Sequence, residues 1–271
     1  MTTLLEPSPA TTLSAPQAAV VAEDLVKRFG SEVALGPIDI VVPRGVIVGL
    51  IGPSGGGKTT LIRILTGVLS PTSGRVAVLG HDPMTAGVAQ RARVAYMPQS
   101  PVLFPNLSVW SNLQFIASLY AMRRRRRRLR GLLELVELWE HRHKRLDECS
   151  GGMQRRAALA ASLVNDPDLL FLDEPTAGID PILREKFWER FRAARDGGRT
   201  IVLSTQYVGE AAMCDLVAVM DHGRVIAYAP PDDLRRMAFD GDGRADDASV
   251  TYDEVFLALF ERASNGPATA P

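Results

Sequence analysis

Gly52-Pro53-Ser54-Gly55-Gly56-Gly57-Lys58-Thr59, followed by Thr60, places its fixed residues at the spacing G-x-x-x-x-G-K-[ST]. Glycines let a loop wrap closely and aim backbone N–H groups at phosphate oxygens, and the helix start behind them adds partial positive charge. The Lys58 ammonium then reaches the terminal phosphates, and the Thr59 hydroxyl is placed to ligate Mg²⁺. A chance Gly-rich turn would match without suitable flanks. Here a β-branched run at 46–51 precedes the loop and a helical pattern at 58–66 follows it, the strand and helix that phosphate binding needs.

A bound Mg²⁺ must also be held from a second side, and an attacking water must be oriented. Leu169-Leu170-Phe171-Leu172-Asp173-Glu174 offers both groups. Four apolar residues make an interior parallel strand, and the carboxylates emerge at its C-terminal end, where α/β sheets place ligands. Asp173 suits the Mg²⁺ shell and Glu174 the water, as general base. On its own, an Asp-Glu pair at a strand end would only turn the chain. Between these segments, Ser150-Gly151-Gly152-Met153-Gln154-Arg155 is a second small, Gly-rich turn opening a helix. Ser150 there could simply cap the helix, yet the same geometry faces anions. One phosphate-binding loop uses one nucleotide, so a second phosphate-facing helix start asks for a second protein chain.

The elements that position these residues alternate along the chain. Strand patterns fall at 19–29, 38–42, 46–51, 75–79, 169–172, 200–204 and 216–220, and helical ones at 58–66, 152–164 and 182–195. Such alternation implies a mainly parallel sheet with helices on its faces. From about 101 to 148 the pattern is helical only, at 108–122 and 129–140, and reads as an inserted α-helical subdomain. Residues 1–16, rich in Thr, Pro, Ser and Ala, read as a flexible tail. Residues 231–271 read as a short C-terminal extension, partly disordered, with an acidic and Gly-rich stretch after Met237.

The chain has 271 residues, 46% hydrophobic and 23% charged, enough for a buried core and far from a disordered composition. Lys plus Arg equals Asp plus Glu at 31 each, which excludes an overall basic nucleic-acid binder. The balance hides a local field, because arginine runs unbroken from Arg123 to Arg128, with Leu129 and Arg130 after it; setting those seven arginines aside leaves the rest at −7. Each like-charge pair at i,i+4 on a helix costs about 0.2–0.5 kcal/mol. A solvated, frayed helix start would dissipate that cost, and contact with anionic lipid headgroups would offset it at about 1 kcal/mol per basic residue. The two cysteines, Cys149 and Cys214, are far apart and suit a reducing compartment. Cys149, beside a helix start, reads either as a reactive thiol or as a small hydrophobe, and His141 and His143 as surface residues. No apolar run is long enough to cross a bilayer and no secretion signal is recognisable, so the expected place is the cytoplasmic face of the membrane, reached through a partner.

Taken together, the motifs resemble the nucleotide-binding subunits of ATP-binding cassette (ABC) transporters over about 18–230. Cys149-Ser150-Gly151-Gly152-Met153 is similar to the family signature L-S-G-G-Q, with Cys for Leu and Met for Gln. Gln99, after Tyr96-Met97-Pro98, matches the glutamine implied to contact Mg²⁺ and to sense the membrane partner. Ala177-Gly178-Ile179-Asp180 matches the D-loop, and Phe29 falls where the family stacks an aromatic on adenine. Taken alone, Gln99 could be any surface amide, Phe29 a core aromatic and Asp180 an ordinary helix cap. Gln206, in Ser204-Thr205-Gln206-Tyr207, stands where the family usually has a switch histidine that holds the γ-phosphate; a glutamine can donate an N–H but cannot carry a proton.

The resemblance implies a P-loop NTPase core with an N-terminal antiparallel β part, and two cassettes sandwiching two ATP molecules. It implies Mg-ATP hydrolysis energising transport through a separate transmembrane permease. The single cassette, the Ser-Gly-Gly-Met-Gln-Arg-Arg form of the signature and the short C-terminus look most like bacterial exporters of drugs, antibiotics or polymers. An importer cassette, a soluble or degenerate cassette acting as an ATP-dependent switch, and a small-molecule kinase are the competing readings. Paired cassettes, a long coiled-coil insert or interleaved aromatics would point to ribosomes or nucleic acid, and none is present, so no nucleic-acid partner is expected.

Overall fold

A computed structural model describes residues 17–100, 102–120, 125–239 and 249–265. The chain divides into two compact units, Met1–Thr85 with Ser204–Pro271, and Ala86–Leu203. The expected tail at 1–16, together with Arg123 and Arg124, lies outside the described residues.

The first unit opens with β1 (Ala18–Phe29), β2 (Glu32–Pro43), β3 (Ile47–Ile51), α1 (Lys58–Leu65) and β4 (Ser73–Val78). β1 pairs antiparallel with both β2 and β4, Val20 lying opposite Val42 and Val78, and Ala22 opposite Ile40 and Val76. Ile38, Ile40 and Val42 are buried while Asp39 between them is exposed, the period-2 alternation of a sheet with one covered face. Every residue of β3 is buried, as expected of a strand covered on both faces.

The second unit contains α2 (Val88–Arg91), β5 (Val94–Met97), α3 (Val109–Ser118), α4 (Arg125–Leu135), α5 (Gly151–Ser162), β6 (Leu169–Asp173) and α6 (Pro181–Asp196); β7 (Thr200–Thr205) runs across the boundary. β5 pairs in parallel with β6, from Val94 opposite Leu169 to Met97 opposite Leu172, and β7 follows beside β6. β6 is buried throughout and ends on its carboxylate. α3 and α4 pack on each other and on α5. Buried Asn112 pins the loop before α3, accepting from Phe104 N at 2.8 Å and donating to the carbonyls of Phe104, Leu107 and Ser108. α6 turns Leu183, Phe187, Trp188 and Phe191 inward, a helical face at i, i+4, i+5 and i+8.

The chain then returns to the first unit as β8 (Leu216–Asp221), β9 (Arg224–Ala229), α7 (Pro231–Ala238) and α8 (Tyr252–Asn265). β3 pairs in parallel with β8, and β9 antiparallel with β8. The β8–β9 turn places His222 at φ 43° and Gly223 at φ 74°, the left-handed pair that a tight hairpin demands. Among its described residues the C-terminal extension contains two helices, and the acidic, Gly-rich stretch at 240–248 lies outside them: α8 carries a reciprocal Thr251–Glu254 cap and buries Val255, Phe256 and Leu259, and it packs on α7, on β9 and on the 3-10 turn Val208–Met213.

Candidate functional site

In the first unit, β3 delivers the chain into the Gly52–Thr60 loop, and α1 starts directly behind it. Gly57 caps α1 at φ 96° with no side-chain hydrogen bond, so no side-chain oxygen covers the first N–H groups and they can face an anion. The loop is walled by its own fold: a Cβ on Gly52 would lie 2.0 Å from the Met220 carbonyl oxygen, and one on Gly57 2.5 Å from Leu35 Cδ2. Gly223 N–H donates to the Gly56 carbonyl at 3.2 Å. The β8–β9 hairpin thus braces the loop, a role the motif itself does not disclose. Lys58 is 5% exposed, with Nζ 2.6 Å from the Gly52 carbonyl and 2.7 Å from that of Pro53, which keeps the ammonium inside the loop it serves. Pro53, Ser54 and Gly55 form an exposed rim, while Thr59 and Thr60 are half-buried.

Two further expected residues stand in this unit. Phe29 is 52% exposed, with Lys27 Nζ 5.0 Å from its ring centroid, so the core-aromatic reading does not hold and the ring is open to stacking. Gln206 is exposed at the end of β7, followed by Tyr207, whose N–H donates to Thr205 Oγ1 at 3.0 Å.

The second unit brings together residues far apart in sequence. Asp173 is buried at the end of β6, and Glu174, the next residue, takes φ 52°. Non-glycine residues in that region are strained and cluster at functional sites. Gln99, exposed in the loop after β5, donates from Nε2 to Glu174 Oε2 at 3.3 Å. Arg155, which sequence reasoning left without a role, donates to the carbonyls of Glu174, Ala177 and Gln99. Its acceptors are all backbone, so no side-chain pattern in the sequence announces the contacts.

Ser150 and Asp180 both act as helix caps, accepting from Met153 N at 3.3 Å and Leu183 N at 2.9 Å. Capping leaves the signature turn open: a Cβ on Gly151 would meet nothing within 4 Å, and one on Gly152 only the Gly178 carbonyl at 3.9 Å. Cys149 is buried, its thiol donates to the Arg145 carbonyl, and burial raises its pKa. The small-hydrophobe reading fits these facts and the reactive-thiol reading does not.

The Thr59 hydroxyl in the first unit, and the Asp173 carboxylate and Gln99 amide oxygen in the second, are each hard oxygen donors of the kind that Mg²⁺ takes. Among the described residues no cluster of three or more His, Cys, Asp or Glu could hold a metal, and no helix is long and apolar enough to cross a membrane.

A family model described as ABC transporter matches residues 35–177. The chain belongs to the ABC transporter family. The daunorubicin resistance ATP-binding protein DrrA3 of Streptomyces coeruleorubidus is 41% identical over 93% of this chain and 77% of its own length. Among solved structures, an ATP-binding subunit of an ABC transporter superposes with a TM-score of 0.80 at 28% identity, covering 89% of this chain and 99% of its own. A dimeric post-hydrolysis state of the cassette MJ0796, bound to ADP and Pi, does so with 0.72 at 25% identity, covering 78% and 98%. The cassette has the P-loop NTPase fold expected from its motifs, and it is an ATP-binding and ATP-hydrolysing subunit of an ABC transporter. Such cassettes dimerise and act with transmembrane subunits.

Proposed function

We propose that this cassette energises export through a separate transmembrane permease, working as a pair of identical cassettes at the cytoplasmic face of the membrane. Its 41% identity to a daunorubicin resistance ATP-binding protein supports the direction and a drug-like class of cargo. In this reading Gly52–Thr60 cradles the ATP phosphates, Lys58 neutralises the terminal ones, and Phe29 stacks on adenine. Thr59, Asp173 and Gln99 would hold Mg²⁺, which supplies charge neutralisation on the phosphates. Glu174 draws the proton from the attacking water, and Gln206 donates its amide N–H to the γ-phosphate. Ser150, Gly151 and Gly152 face the nucleotide of the second cassette, with Asp180 beside them on the D-loop.

The observation that carries the pairing is the open signature turn. Gly151 is the first residue of α5, and nothing within 4 Å of it requires a glycine. A close approach from outside the protomer explains the retained space. In this reading the permease lands on the second unit, where Val102, Phe104, Leu107, Phe115 and Leu119 are exposed. Phe104 and Phe115 meet edge to face at 5.0 Å, beside a groove of about 190 Å³ lined by Met97, Pro98, Val102, Leu103, Ile116 and Tyr120. Exposed apolar groups gathered in this way mark interaction surfaces. Anionic lipid contact through the arginine run is the remaining part of the proposal. It rests on Arg125, Arg126 and Arg127, which are exposed.

The test is ATP-driven association of the Glu174→Gln variant, followed by light scattering. With Mg-ATP it forms a stable dimer, and adding Gly151→Asp abolishes the dimer while each chain still binds ATP. A Glu174→Gln variant that stays monomeric at saturating Mg-ATP overturns the paired reading. Replacing the arginine run by glutamine lowers association of the cassette–permease complex with anionic liposomes at low salt; unchanged association across salt concentrations removes the lipid contact.

A further inference from the structure

Arg155 lies in the second turn of α5, the helix that the signature turn opens. Its Nη1 donates to the carbonyl of Glu174 at 2.9 Å and to that of Ala177 at 2.8 Å, and its Nη2 to that of Gln99 at 3.0 Å. One guanidinium therefore holds both ends of the turn after β6 and the loop after β5. The planar fork of arginine suits this geometry, since its donors keep fixed directions and its charge does not titrate.

Glu174 needs such a hold. A left-handed backbone at a non-glycine residue persists only where its surroundings over-determine it, and Glu174 is at φ 52°. Arg155 binds its carbonyl, and the same guanidinium binds the carbonyl of Gln99, whose side chain reaches Glu174 Oε2. The backbone anchors on either side of the Gln99–Glu174 contact thus converge on a single side chain. We propose that Arg155 is a positioning residue for hydrolysis, fixing the Glu174 carboxylate relative to Gln99 and tying both to the signature helix. A shift of the signature turn is transmitted through this one group to the backbone of both Glu174 and Gln99. The proposal rests on the assignment of Glu174 as the group that activates water.

Arg156, the next residue on the same helix, supplies the control. Its Nη1 donates to the Val136 carbonyl at 3.2 Å and lies 3.9 Å from Glu137, away from both site loops. In the full-length protein, Arg155→Gln lowers kcat for ATP hydrolysis at least tenfold, with KM and ATP affinity within twofold of wild type. Arg156→Gln keeps kcat within twofold, and the two variants melt at similar temperatures. Arg155→Lys, with one compact charge in place of the fork, recovers part of the rate. Gln99→Ala combined with Arg155→Gln loses less than the product of the single losses, because both act on one contact. A kcat for Arg155→Gln within twofold of wild type overturns the proposal, as does an equal loss in Arg156→Gln or a parallel loss of ATP binding and melting temperature. A Glu174→Gln variant that hydrolyses like wild type would instead refute the underlying assignment, and the two failures are read from different proteins.

Discussion

Glu174 takes a backbone conformation that L side chains avoid, at a strain of about 1–3 kcal/mol, while Gln206 departs from the switch histidine usual at its position. Together they set what the chemistry can tolerate. Glutamine offers one N–H to a phosphate but no transferable proton, so in the proposed mechanism proton removal falls to Glu174. Hydrolysis by the purified protein accordingly exceeds that of Glu174→Gln, and turnover no higher than that variant would show a cassette that binds without productive hydrolysis. Removing the amide, as in Gln206→Ala, deletes a hydrogen bond to a charged group, about 1.5–3 kcal/mol, and lowers kcat roughly 10- to 100-fold with ATP binding unchanged. Steady-state hydrolysis at saturating Mg-ATP measures it, and an unchanged kcat means that Gln206 does not touch the reacting phosphate.

Within α4 the arginine run does unlike jobs. Arg128 donates to the carbonyls of Val164 and Leu163, both at 2.7 Å, and meets Asp166 at 3.1 Å; it closes the C-terminal end of α5, whose N-terminal end is the signature turn. Arg130 pairs with Glu134 and lies over the Trp139 ring. The frayed, solvated reading therefore fails at Arg128. Arg128→Ala should cost about 1–3 kcal/mol, because two helix-end carbonyls lose their donor, whereas Arg126→Ala on the exposed side stays within about 0.5 kcal/mol. Urea unfolding of the two variants separates them, and equal midpoints would return the whole run to solvent. The same elements show why legibility was uneven. β3 and β6 were readable because buried parallel strands are continuous apolar runs, and the phosphate loop and Asp173-Glu174 because their chemistry is contiguous in sequence. β5, only four residues long, lacks a pattern long enough to count, and α8 sits behind an acidic, Gly-rich stretch that masks its apolar face. Arg155 was invisible for a different reason: its acceptors are backbone carbonyls 19 and 56 residues away from it for Glu174 and Gln99.

For the molecule as a whole, net charge zero conceals groups whose ionisation the fold forbids. Cys214 lies against β3, where a Cβ on Gly49 would come 2.8 Å from its sulfur, and burial pushes its thiol far above the ordinary range. Tyr228 donates its hydroxyl to the Val41 carbonyl at 2.9 Å, and burial raises it likewise. Both belong to the unit that carries the phosphate loop. The unfolded chain releases these protons near the ordinary values, about 8.5 for cysteine and 10 for tyrosine, while the folded chain keeps them. Above those values the native state binds more protons than the unfolded one, so stability falls as pH rises and is fully present below about pH 8.5. The urea midpoint should therefore decline between about pH 8.5 and 11, first through Cys214, with a smaller share from Cys149, and then through Tyr228. Cys214→Ala lowers stability at neutral pH by leaving a cavity but flattens the lower part of the decline, and Tyr228→Phe flattens the upper part. Declines that keep the wild-type slope in both variants would place the alkaline sensitivity elsewhere in the chain.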